Sequence, residues 1–310
     1  MTNYRQLGPR GLDAFIAAHG IAPGAELDRV CAQRDAHTTL LYWHTDLAAA
    51  VAEARRAGRP ILSLRLLGRL DEELSCANSR FFRKLLYPDP RINQLLRQDF
   101  VLHWQSVRPV PRVTIDFGDG RRVERTLTGN SVHVVLDPYG RVVDALPGLM
   151  ARDVFVDQLA QARTFALANR RELAGMHQRA RGPLLPPEPL PSRAVAASRL
   201  AMTKHVVEAP LLRAVSIDVD ADTRQNLELH ARIHEAFAER AEWAGIAGFV
   251  EWIYAELFEM PLDDAALGLD VPDPFDYDGA RSQADSRFAS AGSSLPRSAR
   301  ARRARAVASS

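Results

Sequence analysis

The chain is predicted to be an α/β protein: a mixed sheet flanked by helices over residues 40–175, with a helical lead-in at 1–39. A proline-rich linker (176–192), a helical region (193–271) and a basic tail expected to be disordered (272–310) follow. Three observations carry this reading. The apolar run Ile61–Leu67 has the length of a buried strand and follows an amphipathic helical pattern. Two pairs of alternating segments downstream are each joined by a tight turn. After residue 182 the pattern changes to prolines and then to helical spacing.

In chain order, Leu12, Phe15, Ile16, Leu27, Val30 and Cys31 recur at helical spacing within residues 10–35. A first short strand is expected at 40–43. A helix over 46–56 has Asp46 at its start and Gly58 just past its end, the residue types that open and close helices. After the Ile61 strand come a helical segment rich in Phe and Leu, the turn Pro88-Asp89-Pro90, a short helix to Leu96 and a strand over 100–104. Segments 113–117 and 123–127 flank Gly118-Asp119-Gly120 and read as a β-hairpin. Segments 131–136 and 141–146 form a second hairpin across Asp137-Pro138-Tyr139-Gly140, and the Val113 and Ser131 strands are expected in one sheet. Helices are expected at 153–173, 193–204, 222–242 and 248–259.

Composition narrows the class. With 310 residues the chain has ample length for a buried core. No apolar run approaches the ~18 residues of a membrane span, and residues 1–9 lack the basic-then-apolar order of a signal peptide. Two cysteines, Cys31 and Cys76, suit a reducing compartment and do not make a disulfide scaffold; the expected location is cytoplasmic. A net charge of +2 hides an asymmetry, since residues 281–310 hold seven arginines against one acidic residue. That tail, poor in aromatics, cannot bury enough apolar surface to offset the entropy of ordering. It can touch nucleic acid through phosphate contacts, but no aromatics are interleaved with its arginines and no nucleic-acid-binding motif accompanies it. No cofactor is implied.

The stretch Cys76-Ala77-Asn78-Ser79 lies between the Ile61 strand and a helix, and Leu136-Asp137-Pro138-Tyr139-Gly140-Arg141-Val142-Val143 ends one strand and begins the next. Over residues 40 to 170 this order resembles the thioredoxin-like fold family, whose loop carries Cys-x-x-Cys. The resemblance places the attacking cysteine at Cys76 and the resolving one at Ser79. It also places Ser131 where the family has a proline opposite the active site, and it leaves a longer loop before Cys76. Dithiol exchange from this site alone is therefore not expected.

If the helix starts at Ser75, the Cys76 thiol lies in its first turn, where free N–H groups lower a thiol pKa. Arg80 then adds positive charge and Ser79 a hydrogen bond. If the helix starts at Asp71, Cys76 is a mid-helix residue beside an apolar stripe, and this inert reading is narrowly preferred. Cys31 either resolves an oxidised Cys76 or is a small core residue, the latter preferred. The resemblance puts Asn130, Ser131 and His133 opposite the loop as a substrate-docking edge with a candidate base. A histidine on a buried strand also fits a hydrogen-bonded core residue. His230 and His234, four apart with Glu235 beside them, have metal-ligand spacing but no third-ligand signature, so they are expected on a solvated helix face and no metal is assigned.

Two functions remain open on the sequence: a monothiol redox protein that attacks a disulfide or peroxide through Cys76, or a redox-inactive module that binds a partner with its C-terminal helices and basic tail. The expected partner is a protein disulfide or thiol in the first case. Membrane association is not expected.

Overall fold

Caps and apolar spacing set the N-terminal elements. A computed structural model describes residues 3–126, 129–181, 215–240, 243–265 and 267. Helix α1 (Pro9–His19) starts with proline at its first position, where the missing N–H costs nothing. Helix α2 (Ala25–Cys31) follows. Leu12, Phe15, Leu27, Val30, Cys31 and Ala36 pack into a small cluster of their own. Helix α3 (Leu47–Ala57) is capped as its sequence predicts: the Asp46 carboxylate accepts the Ala49 N–H at 2.7 Å, and Gly58 closes the helix in the left-handed region at φ 64°.

The expected strand at 40–43 does not form. Leu40 takes φ 50°, and the Trp43 N–H is used by the Cys31 carbonyl. His44 makes a single parallel bridge to His103.

Strand β1 (Ile61–Leu67) is buried along its whole length, as expected for a central strand. Helix α4 (Ala77–Phe81) continues into a π-helical turn, Phe82–Leu86. Helix α5 (Pro90–Asp99) is capped by Asp89 and leads into β2 (Val101–Arg108). Strands β3 (Arg112–Asp116) and β4 (Arg122–Thr126) form the first hairpin, and β5 (Ser131–Leu136) and β6 (Val142–Pro147) the second. Helices α6 (Arg152–Leu167) and α7 (Arg170–Ala180) stand where one helix over 153–173 was expected. Helix α8 (Val215–Glu239) and helix α9 (Ile246–Trp252), which continues as a π-helical turn over Ile253–Leu257, complete the described chain.

The result is a mixed α/β fold. The main sheet runs β2-β1-β5-β6, with β1 parallel to β2 and antiparallel to β5, and β6 antiparallel to β5. The β3–β4 hairpin is a separate two-stranded sheet, so the Val113 and Ser131 strands do not share a sheet as expected. The cause is visible in its side chains: Arg112, Thr114, Asp116, Arg122 and Glu124 are all exposed, and Ile115 opposite Val123 is 37% exposed. Its one apolar side, Val113, Ile115 and Val123, is small, so the hairpin has little to gain by joining the core.

Register and two-residue alternation assign the faces of the main sheet. Leu62, Leu64 and Leu66 share one face with Leu102, Trp104, Ser131, His133 and Val135. Phe82 and Phe155 pack on His133, which puts the turn after α4 and helix α6 on that face. Ser63, Arg65, His103 and Gln105 lie on the opposite face. There the Ser63 hydroxyl meets His103 Nδ1 at 2.8 Å and Arg65 donates to Ser63 and Gln105.

The C-terminal helices are fastened to this sheet. Asn226 of α8 donates to the Leu149 carbonyl at 2.7 Å, and the Thr223 hydroxyl accepts the Ala151 N–H at the start of α6. Arg108 at the end of β2 donates to the carbonyls of Leu262 and Asp264. Among the described residues no helix is long and apolar enough to cross a membrane. The proline-dense stretch at 182–191, the helix expected at 193–204 and the basic tail at 272–310 lie outside the described residues.

Candidate functional site

Residues 71–75 form turns and bends, and Cys76 is the N-cap residue of α4 at φ −58°, ψ 155°. The helix therefore begins later than either sequence reading placed it. The Cys76 N–H is held by the Leu67 carbonyl at 3.1 Å, which ties the loop back to the end of β1.

The thiol is enclosed. Cys76 is 0% exposed. Gly129 closes one side: a Cβ there would collide with the Cys76 Cβ and lie 3.1 Å from its Cα. Tyr87 and Tyr254 stand near enough that a Cys76 thiolate would disfavour ionisation of either phenol, adding to the burial that already holds both well above their ordinary range. Tyr254 arrives from the turn after α9 and is fixed there, its hydroxyl donating to the Asn130 carbonyl at 2.9 Å and the Arg65 carbonyl at 3.4 Å. Burial pushes the Cys76 pKa up. Ser79, through its hydroxyl and N–H, then the Arg80 charge and the Ser131 hydroxyl, pull it down without cancelling the rise.

Of the other residues singled out in the sequence, Ser79, Arg80 and Ser131 act on this thiol, whereas Cys31 belongs to the separate N-terminal cluster. Ser79 is buried and donates to the Cys76 carbonyl at 2.8 Å while meeting the Ser75 hydroxyl at 2.6 Å. Arg80 is buried and reaches the Thr126 hydroxyl at 3.4 Å. The Asn130 side-chain oxygen accepts the Asn78 amide at 3.0 Å and the Ser131 N–H at 2.9 Å. His133 bonds Tyr87 through Nε2 at 2.8 Å and lies between Phe82 and Phe155. Burial lowers its pKa to about 3, so the ring is neutral at physiological pH. Cys31 is also a free, buried thiol, and burial raises it to about 12.

A second cluster forms at the outer edge of the sheet. His230 and His234, expected on a solvated face, are 3% and 2% exposed. His230 Nε2 bonds the Asp144 carboxylate of β6 at 2.9 Å, and His234 Nδ1 meets His177 Nδ1 of α7 at 2.8 Å. Burial is the largest influence on Asp144 and raises its pKa. His230, His234 and His177 together outweigh it and leave the carboxyl below its ordinary value. Sequence reading missed Asp144 and His177. The available signals were a carboxylate inside the apolar strand Val142–Pro147 and the stripe Asn226, Leu229, His230, Ile233, His234, Phe237, which runs along one side of α8.

No family model, curated protein or solved structure matches this chain.

Proposed function

We propose that the chain is a thioredoxin-like module in which the attacking-cysteine position has become a core position, so that it works by binding and not by thiol exchange. The sheet order β2-β1-β5-β6, with one parallel pair and two antiparallel pairs, supports the thioredoxin-like reading. So do the parallel bridge at His44, the placement of Cys76 between β1 and α4, and the helix α6 after the last strand. The β3–β4 hairpin departs from it, standing between β2 and β5.

The observation that carries the functional reading is the complete burial of Cys76, with Gly129 packed directly against it. A nucleophilic thiol needs both thiolate character and access, and this one is denied both. The hairpin offers an exposed surface to a partner. It carries Phe117, 55% exposed, with the Arg121 guanidinium over its ring.

Iodoacetamide labelling between pH 5 and 9, with peptide mass spectrometry separating Cys76 from Cys31, tests the reading. Native Cys76 should label at least a hundredfold more slowly than in urea-unfolded protein. Fast native labelling with a midpoint below the free-thiol value of ~8.5 would favour the monothiol enzyme instead.

A further inference from the structure

The buried cluster at the outer edge of the sheet has a donor set that the thiol site does not use. We propose that Asp144, His177 and His234 form a binding site for one divalent transition-metal ion of the zinc class, with His230 as the residue that positions Asp144.

One ligand atom from each of Asp144, His177 and His234 can be chosen so that all three lie within 4.8 Å of one another, and all three residues are buried. His177 and His234 point Nδ1 at each other at 2.8 Å, and His234 Nδ1 is 3.8 Å from Asp144 Oδ1. Two imidazole nitrogens bound to tetrahedral zinc at ~2.0–2.1 Å stand about 3.3 Å apart, so the two rings need to part by about half an ångström. Asp144 Oδ1 already takes the His230 Nε2 proton and the Ala145 N–H, whereas Oδ2, fully buried, has no hydrogen-bond partner among the described residues. An unsatisfied buried carboxylate oxygen is costly, and a cation is a partner that removes the cost.

The chemistry of the set selects the ion. Two imidazoles and a carboxylate suit zinc and its neighbours and not calcium or magnesium, which take oxygen ligands. Burial favours neutral rings at His177 and His234. One of the two Nδ1 atoms carries the proton of the bond between them, so ligation through both requires that proton to move to Nε2 of its own ring, a tautomer change that releases no proton from the rings. His230 then plays the outer role that carboxylate–histidine pairs play at such centres, fixing the carboxylate by Nε2–H···Oδ1. An ion here would join three elements distant in sequence: β6, α7 and α8.

A surface pocket of about 290 Å³ is lined by Val143, Phe165, Phe237 and Trp243. Phe237 stacks on the His177 ring at 4.5 Å between centroids, and Phe165 touches both His177 and His234.

The test uses the tag-free full chain, stripped with a chelator and titrated with Zn²⁺, with Co²⁺ as a spectroscopic probe. The expected result is one Zn²⁺ per chain, a raised melting temperature and a Co²⁺ visible spectrum with imidazole and carboxylate character. His177→Gln and His234→Gln should abolish stoichiometric binding, and His230→Gln should weaken it by about 10–100-fold. Should either ligand variant fail to fold, Asp144→Asn, which keeps the shape of the side chain, serves with the same readouts. A stripped wild-type chain that is folded but takes up no stoichiometric Zn²⁺ would overturn the proposal. So would unchanged binding in the folded ligand variants.

Discussion

Lowering the pH should unfold this protein well before its carboxylates are protonated, because its interior holds neutral histidines. His133 and His103 are each lowered from an ordinary 6.5 to about 3. For His133 the cause is burial alone: its ring faces Tyr87, Phe82 and Phe155, and no charged group compensates. For His103 burial comes first, and the Arg65 charge and His44 push the same way against a weaker pull from Asp46. Both groups have a folded pKa below the unfolded one, so the unfolded chain binds more protons between pH 6.5 and 3. Stability is therefore full above about 6.5 and falls as the pH drops through that window. At pH 5.5 the pair costs on the order of 3 kcal/mol, and each further unit of pH down costs about as much again. His44 is lowered too and adds in the same direction. Against a total of about 5–15 kcal/mol for a typical domain, that loss is large. Urea unfolding at pH 7.5, 6.5 and 5.5 reads it directly. His133→Gln, which retains an acceptor for the Tyr87 hydroxyl, should remove about half of the slope assigned to the pair. An unfolding free energy that stays flat from pH 7.5 to 5.5 would refute the assignment of neutral, buried rings.

Three further outcomes are expected. Gly129→Ala should destabilise by about 1–3 kcal/mol through overpacking against Cys76, and a change below 0.5 kcal/mol in urea unfolding would mean the two segments are not in contact. Tyr254→Phe should cost about 1–2 kcal/mol, since the Asn130 carbonyl loses its partner hydroxyl; an unchanged unfolding free energy would mean that this bond does not hold the C-terminal segment to the sheet. Phe117→Ser should leave stability within about 0.5 kcal/mol, as for any exposed position, and a loss above 1 kcal/mol would show that the hairpin packs on the body.

Local chemistry was the legible part of this sequence. Asp46 and Gly58 fixed both ends of α3 because each acts on its own neighbours. The Asp137 turn was equally readable: its carboxylate collects the Tyr139 and Arg141 N–H groups within four residues. The apolar run of β1 announced its strand to the residue. What failed depended on distant partners. The hairpin at 112–126 alternates like a sheet strand, yet nothing local says whether a larger sheet will accept it. Its row of exposed arginines and acids argued against acceptance. His230 meets Asp144 across 86 residues of chain, and His234 meets His177 across 57. Spacing on one helix could name two donors, but only the fold brings the others. The stripe of α8 through Leu229, Ile233 and Phe237 did hold the clue, because it runs beside both histidines and marks that side as buried.

Enclosure and electrostatics act separately on Cys76, and the distinction matters for what the site can become. The electropositive ingredients of a reactive thiol are present: the Arg80 charge, the Ser79 N–H and two nearby hydroxyls all favour the thiolate. They are outweighed because the sulfur is removed from water, and Gly129, from the segment before β5, packs against it. A cysteine introduced at position 79 would itself be buried, where Ser79 already bonds Ser75 and the Cys76 carbonyl. Both C-terminal segments also reach the sheet: the Tyr254 hydroxyl bonds the Asn130 carbonyl beside β5, and α8 brings His230 and His234 to Asp144 at the opposite end of the sheet order from β2.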